Sequence, residues 1–171
     1  MIRSFTLIAA TLILAACGQL AELTSQTRTV AAPRAAVFAE MFGDGSKLGL
    51  PMISNGGSTR RYELVVKKGD PHWRQVAPEN WPEAHKVKLA VALEIPREAH
   101  ITYAVNDDAL RTGLKFTLED VAPDRTRIDF AIDELTGTAS EGMTVNTVKM
   151  HAIAREALGK LDRFDTADDA A

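Results

Sequence analysis

Few residues in this chain have types and spacing suited to chemistry. Cys17 is the sole cysteine and directly follows the apolar run FTLIAATLILAA at residues 5–16. The four histidines, His72, His85, His100 and His151, lack a spacing such as H-E-x-x-H that sets two imidazoles around a metal. No metal and no cofactor are expected. No G-x-S-x-G elbow presents a serine nucleophile. NGGS at 55–58 and GDGS at 43–46 match no phosphate-cradling loop and read as turns. His85 shares strand parity with Val87 and Leu89 and would face an apolar interior as a polar cavity group, where an imidazole can become a tuned acid or base. The plainer reading is a cap at a strand end. Glu134 and Thr112 share parity with Ile132 and Leu114, but they stand at strand ends, where polar side chains meet water. No catalytic residue is assigned, and a hydrolase or metalloenzyme is poorly supported.

The run at 5–16 is shorter than the ~20 residues a membrane-spanning helix needs. With Arg3 before it and small residues after it, it has the layout of a secretory signal. Leu14-Ala15-Ala16-Cys17 resembles the lipobox of bacterial lipoproteins. The resemblance implies a signal peptide at 1–16, cleavage before Cys17, and a diacylglycerol on the Cys17 sulfur. Each buried acyl methylene adds about 0.8 kcal/mol of membrane affinity, so two chains anchor durably where one is marginal. Gly18, rather than Asp, follows the cysteine, a pattern that resembles outer-membrane over inner-membrane sorting in enteric bacteria. The expected location is the cell envelope on the periplasmic side. With Cys17 acylated, no thiol remains for a disulfide, so the body must rest on its apolar core.

Beyond the signal the chain has the length of one domain. The whole sequence carries 20 Lys and Arg against 23 Asp and Glu, a net −3, and loss of Arg3 makes the body more acidic by one. That balance gives no electrostatic reason to bind nucleic acid, or to adhere broadly to anionic lipid heads. Residues 17–25 read as the lipidated N-terminus and a tether. Residues 165–171, DTADDAA, read as a disordered acidic tail.

Between them the patterning alternates by two. A short strand is predicted at about 26–31. Pro33 opens a helix whose stripe is Val37, Phe38, Met41 and Phe42, and Gly43 stops it. Five runs follow with period two: Tyr62, Leu64 and Val66; Val87 to Ile95; Ile101, Tyr103 and Val105; Leu114, Phe116 and Leu118; Ile128, Phe130 and Ile132. Turn chemistry in IPREA, NDDALRTG and APDRT separates the later ones. This pattern predicts an antiparallel sheet with one buried face. From about 143 to 164, Met150, Ile153, Ala157, Leu161 and Phe164 form a stripe with Ala154 and Leu158 beside it. They predict a long amphipathic helix that must lie on the sheet.

The order strand, helix, antiparallel strands, long C-terminal helix resembles the START-like, or helix-grip, SRPBCC superfamily of polyketide cyclases and lipid-transfer domains. TRTVAAPRAAVFAEMF looks like its opening strand and proline-led helix, LKFTLEDVAPDRTRIDFAIDEL like its late hairpin, and 145–164 like its gripping helix. The resemblance spans 26–164. It implies an α+β fold in which a curved antiparallel sheet wraps a C-terminal helix, with an apolar cavity between them. The inward positions Tyr62, Leu89, Leu93, Tyr103, Phe116, Phe130, Met150 and Ile153 would line it. The same side chains would equally well fill it.

The segment GDPHWRQVAPENWPEAH, 69–85, is long for a connection and holds both tryptophans. Trp73 and Trp81 suit a lid, a membrane contact at the bilayer interface, or a local packed cluster. The expectation is a membrane-anchored lipoprotein whose partner is a lipid or other hydrophobic small molecule. The alternatives are a non-catalytic envelope interaction module with a filled core, and a cyclase or aromatase, which requires His85, Tyr103 and Glu134 to converge. Replacement of Cys17 (Cys17→Ser) is expected to abolish lipid attachment and release the chain from the membrane fraction, read by intact mass and fractionation. An unaltered mass and distribution would remove the anchor.

Overall fold

Strands that alternate apolar and polar residues produce a sheet with one face that must be covered, and the chain supplies covers from both ends. The computed structural model describes residues 25–43, 45–77, 81–106, 110–136 and 140–165, without the side chains at 25, 46, 75, 110 and 133–149. Cys17, the expected signal, most of the tether and residues 166–171 lie outside the described residues. The strands are β1 (Ser25–Val30), β2 (Met52–Gly56), β3 (Thr59–Lys67), β4 (Lys86–Glu94), β5 (Glu98–Val105), β6 (Leu110–Ala122) and β7 (Arg125–Thr136). They form one sheet in the order β1-β7-β6-β5-β4-β3-β2, each neighbour antiparallel. Register shifts at Gly113/Leu114 and Asp120/Ala122 in β6 mark bulges, which bend a strand and help the sheet curve. The fold is the expected helix-grip α+β arrangement.

The predicted inward positions are inward. Val66, Val87, Leu93, Ile101, Leu114, Phe116, Leu118 and Ile128 are all buried, while Glu63, Lys88, Lys115 and Asp129 occupy the other face. Strand β2 is the element the patterning missed. It is an edge strand, exposed along its length, so no burial imposes alternation on it. NGGS is the β2–β3 hairpin turn, with Gly57 at φ 72.

Helix α1 (Arg34–Phe42) starts after Pro33, whose carbonyl accepts from the Ala36 and Val37 N–H groups. Its stripe Val37, Phe38, Met41 and Phe42 is buried, and Gly43 ends it at φ 65. Phe42 meets Phe116 edge-on at 5.3 Å between centroids, tying the helix to the sheet. The Thr126 hydroxyl donates to the Ala32 carbonyl at 2.7 Å in a buried bond that fixes the turn between β1 and α1. A one-turn helix, α2 (Trp73–Val76), lies in the long β3–β4 connection.

Helix α3 (Ser140–Gly159) covers the sheet, chiefly over β6 with β5 and β7 beside it. Among its described side chains Met150, Ala154 and Ala157 form the buried stripe, which Leu161 continues just past the helix end. Ala154 belongs to that stripe, whereas Ile153 stands at its half-buried edge. The expected single helix to 164 is divided: α3 stops at Gly159, and a short α4 (Asp162–Asp165) follows. The Leu158 carbonyl accepts from the Leu161 N–H and from Arg28 Nη1 at 2.9 Å. Arg28 also pairs with Asp162 at 2.8 Å and with Asp165. These bonds satisfy a terminal carbonyl and turn the chain. Asp165 therefore belongs to the fold rather than to the tail.

Gly45 has φ 91, and a Cβ there would stand 2.0 Å from Tyr62 Oη. Tyr62 is buried and cannot swing aside. Substitution Gly45→Ala is expected to destabilise the protein by about 2–3 kcal/mol through left-handed strain and the clash. A denaturant midpoint within error of the parent would disprove that packing.

Candidate functional site

Because α3 sits over β6, the inner surface of β4 needs another cover. The end of α1 and the loop after it provide one only in part. A cleft of about 260 Å³ remains. Leu89 and Val91 of β4 and Ile101 of β5 form one side of it, Met41, Phe42, Leu48 and Leu50 another, and Ile153 and Ala157 of α3 a third. Three charged residues also border it, Lys47, Glu156 and Lys160. The loop reaches this place because Gly43 reverses it into a 3-10 turn at Ser46–Leu48. Lys47 lays its stem on Gly43, where a Cβ would be 3.1 Å from its Cδ. Glu156 and Lys160 pair along the helix at 3.5 Å. This arrangement buries apolar surface and offers charge only from long side chains. Among its lining residues are no nucleophile and no histidine.

Of the eight positions expected to line a cavity, Leu89 and Ile153 border this cleft. Leu93, Tyr103, Phe116, Phe130 and Met150 are packed in the core, and Tyr62 is buried against Gly45. Phe116 contacts Phe130 at 5.8 Å between ring centroids, besides Phe42. The parity that selected these residues was correct, but which inward residue meets open space depends on where the helix stops covering the sheet. Leu48, Leu50 and Lys47 escaped sequence reasoning because they come from a loop, and Met41 was read only as part of its helix stripe. The loop's only signal was the apolar–glycine alternation in KLGLP.

The tryptophans are inside. Trp73 and Trp81 are 5% and 6% exposed and join the core with Val76 and Ala77. That corrects the expected membrane contact: a buried indole has no face to offer a bilayer. The Trp81 ring stands 4.9 Å from the His85 ring, and His85 Nδ1 is buried with no hydrogen-bond partner among the described residues. His85 therefore packs on Trp81 and does not border the cleft. Tyr103 lies opposite Thr112 across β5 and β6, and burial pushes its phenol far up, so it stays protonated. Thr112 is a second correction: it is 0% exposed rather than wet, because β6 continues past it to Leu110 and β7 pairs alongside it. The Glu134 side chain lies outside the described residues. On the outer face, burial works to raise Glu98, but hydrogen bonds from Lys115 and His100 outweigh it and hold that carboxyl below its usual range.

No group of His, Cys, Asp or Glu among the described residues is arranged to hold a metal ion. No helix among them is long and apolar enough to cross a membrane.

No family model matches the sequence, and no curated protein matches it. Solved structures do. The di-domain ARO/CYC protein StfQ of the steffimycin biosynthetic pathway is 13% identical with a TM-score of 0.48, covering 85% of this chain and 46% of its own. The Zhui aromatase/cyclase from a Streptomyces species is 16% identical with a TM-score of 0.46, covering 81% and 92%. The Aha1 dimer from Colwellia psychrerythraea is 16% identical with a TM-score of 0.42, covering 84% and 96%. The chain thus spans about half of StfQ.

Both indoles being interior, intrinsic fluorescence is expected to emit on the blue side of free tryptophan. Acrylamide should quench it several-fold less than in the unfolded chain. Quenching at the unfolded level would place the tryptophans at the surface instead.

Proposed function

We propose that this protein is a bacterial lipoprotein, anchored through acylated Cys17 on the periplasmic side of the envelope, whose START-like body binds a hydrophobic small molecule or lipid. The observation that carries the proposal is the cleft: an apolar recess between sheet, α1 and α3, bordered by Leu89, Val91, Ile101 and Ile153. Its 260 Å³ is close to the ~300 Å³ at which small-molecule sites begin. The cleft therefore suits one acyl chain or a compact apolar molecule rather than a two-chain lipid. Leu14-Ala15-Ala16-Cys17 supports the anchor, and Gly18 favours the outer membrane. The tether gives the placement a physical use, since a binding body held beside a bilayer meets membrane-borne molecules at high effective concentration.

A second reading is an interaction module with no small ligand. It draws on the tight burial of Leu93, Phe116 and Met150, and on the free edge strand β2, where Met52 and Ile53 are 54% and 60% exposed. An exposed apolar edge is a template for a further strand. A cyclase-type reaction has less to draw on, because His85 packs on Trp81 away from the cleft.

The test is mass spectrometry of solvent extracts from the full chain, expressed with its own N-terminus in a bacterial host and purified from its membranes. A stoichiometric apolar molecule, lost from an Ile153→Trp variant whose melting temperature stays within a few degrees, is the expected result. Absence of any co-purifying molecule from the parent chain would shift the reading to the interaction module.

A further inference from the structure

The charges at the cleft are not balanced. Glu156 is held by Lys160 at 3.5 Å. Glu40, one residue before the cleft-lining Met41, is held by Arg163 at 2.6 Å. Lys47 makes no ion pair among the described residues; it is exposed, its stem lies along Gly43, and it borders both this cleft and a second recess beside Ala35 and Pro96. Among the described residues the cleft thus has one unneutralised cation, although the whole chain is net −3. Local excess of the opposite sign to the net charge is what an anionic ligand requires. An exposed lysine on the rim of an apolar recess also sets a cation next to an apolar wall, the order of a head and a tail.

Resting on the reading of the cleft as a hydrophobic-ligand site, we propose that its ligand is a single-chain amphiphile with an anionic head. Lys47 pairs with the head, Lys160 supplies a second cation, and the tail lies against Leu89, Val91 and Ile153. A carboxylate and a phosphate monoester share the required chemistry. At roughly 30 Å³ for a water-sized group, the 260 Å³ recess holds about nine such groups, which limits the buried tail to about nine carbons, as in the tail of decanoate. Glu156 sets the strength of the site, because it holds Lys160 in part and repels an anion.

The experiment titrates sodium decanoate, decyl phosphate and uncharged 1-decanol, each below its aggregation limit, into the full-length isotope-labelled chain, with dissociation constants read by NMR. At least one of the anions is expected to bind about tenfold more tightly than decanol at low salt, as a charge-assisted hydrogen bond to Lys47 would give, with the preference shrinking as salt rises. The tighter anion names the head. Lys47→Gln is expected to lower the anion-to-alcohol affinity ratio several-fold, and Glu156→Gln to raise it. Decanol binding as tightly as both anions, or a ratio insensitive to both substitutions, overturns the anionic head and leaves the hydrophobic site standing. Failure of all three compounds to bind overturns the site and the proposed function together.

Discussion

Everything in this protein depends on covering one face of one sheet. Five consecutive runs, from Tyr62 to Ile132, alternate so strictly that their apolar side chains cannot be left in water. Each large apolar residue so buried is worth about 1.5–3 kcal/mol, and the inner face carries more than a dozen. A helix is about 10 Å wide and the sheet has seven strands at just under 5 Å, so α3 alone cannot cover the face. The chain uses α3 over β5–β7, α1 against Phe116, and the tryptophan-bearing connection, whose indoles join the same core as Val66 and Val87. The cleft lies where α1 and α3 fail to meet over β4 and β5.

Both covers are fastened, α1 at its start and α3 at the end that borders the cleft. Arg28 of β1 holds the end of α3 through the Leu158 carbonyl, Asp162 and Asp165. Thr126 holds the turn leading into α1 through Ala32. Arg163 of α4 pairs with Glu40 of α1, so the segment after α3 is tied to the other cover. The loop 43–51 is the softer wall: its conformation rests on Gly43 and Gly45 at positive φ and on Tyr62 packed against Gly45.

Much of the sheet was legible because its signal is local. Period-two burial selects residues regardless of which strand lies alongside, so Val87, Leu93, Phe116 and Ile128 were placed correctly without any knowledge of strand order. β2 was not legible, since an exposed edge leaves no alternation to read. Thr112 was misread because strand ends were taken as wet, whereas β6 runs on and β7 flanks it. For Trp73 and Trp81 the sequence left a lid, a membrane contact and a packed cluster open. Where they would hide depends on contacts between a loop and a distant core.

By itself, then, the sequence determined the helix-grip class, the inward set of each strand, the start of α1 at Pro33 and its stop at Gly43, and the lipobox-like LAAC before the fold. These follow from steric and hydrophobic rules that act within a few residues. Only the tertiary structure decided which inward residues pack and which border a recess. A core and a pocket use the same side chains, and the difference between them is the position of a covering helix set by distant anchors such as Arg28. It also decided that Lys47, from a glycine-rich loop, stands beside Leu89 and Lys160. No spacing along the chain encodes that meeting, because it joins three segments brought together only by covering the sheet.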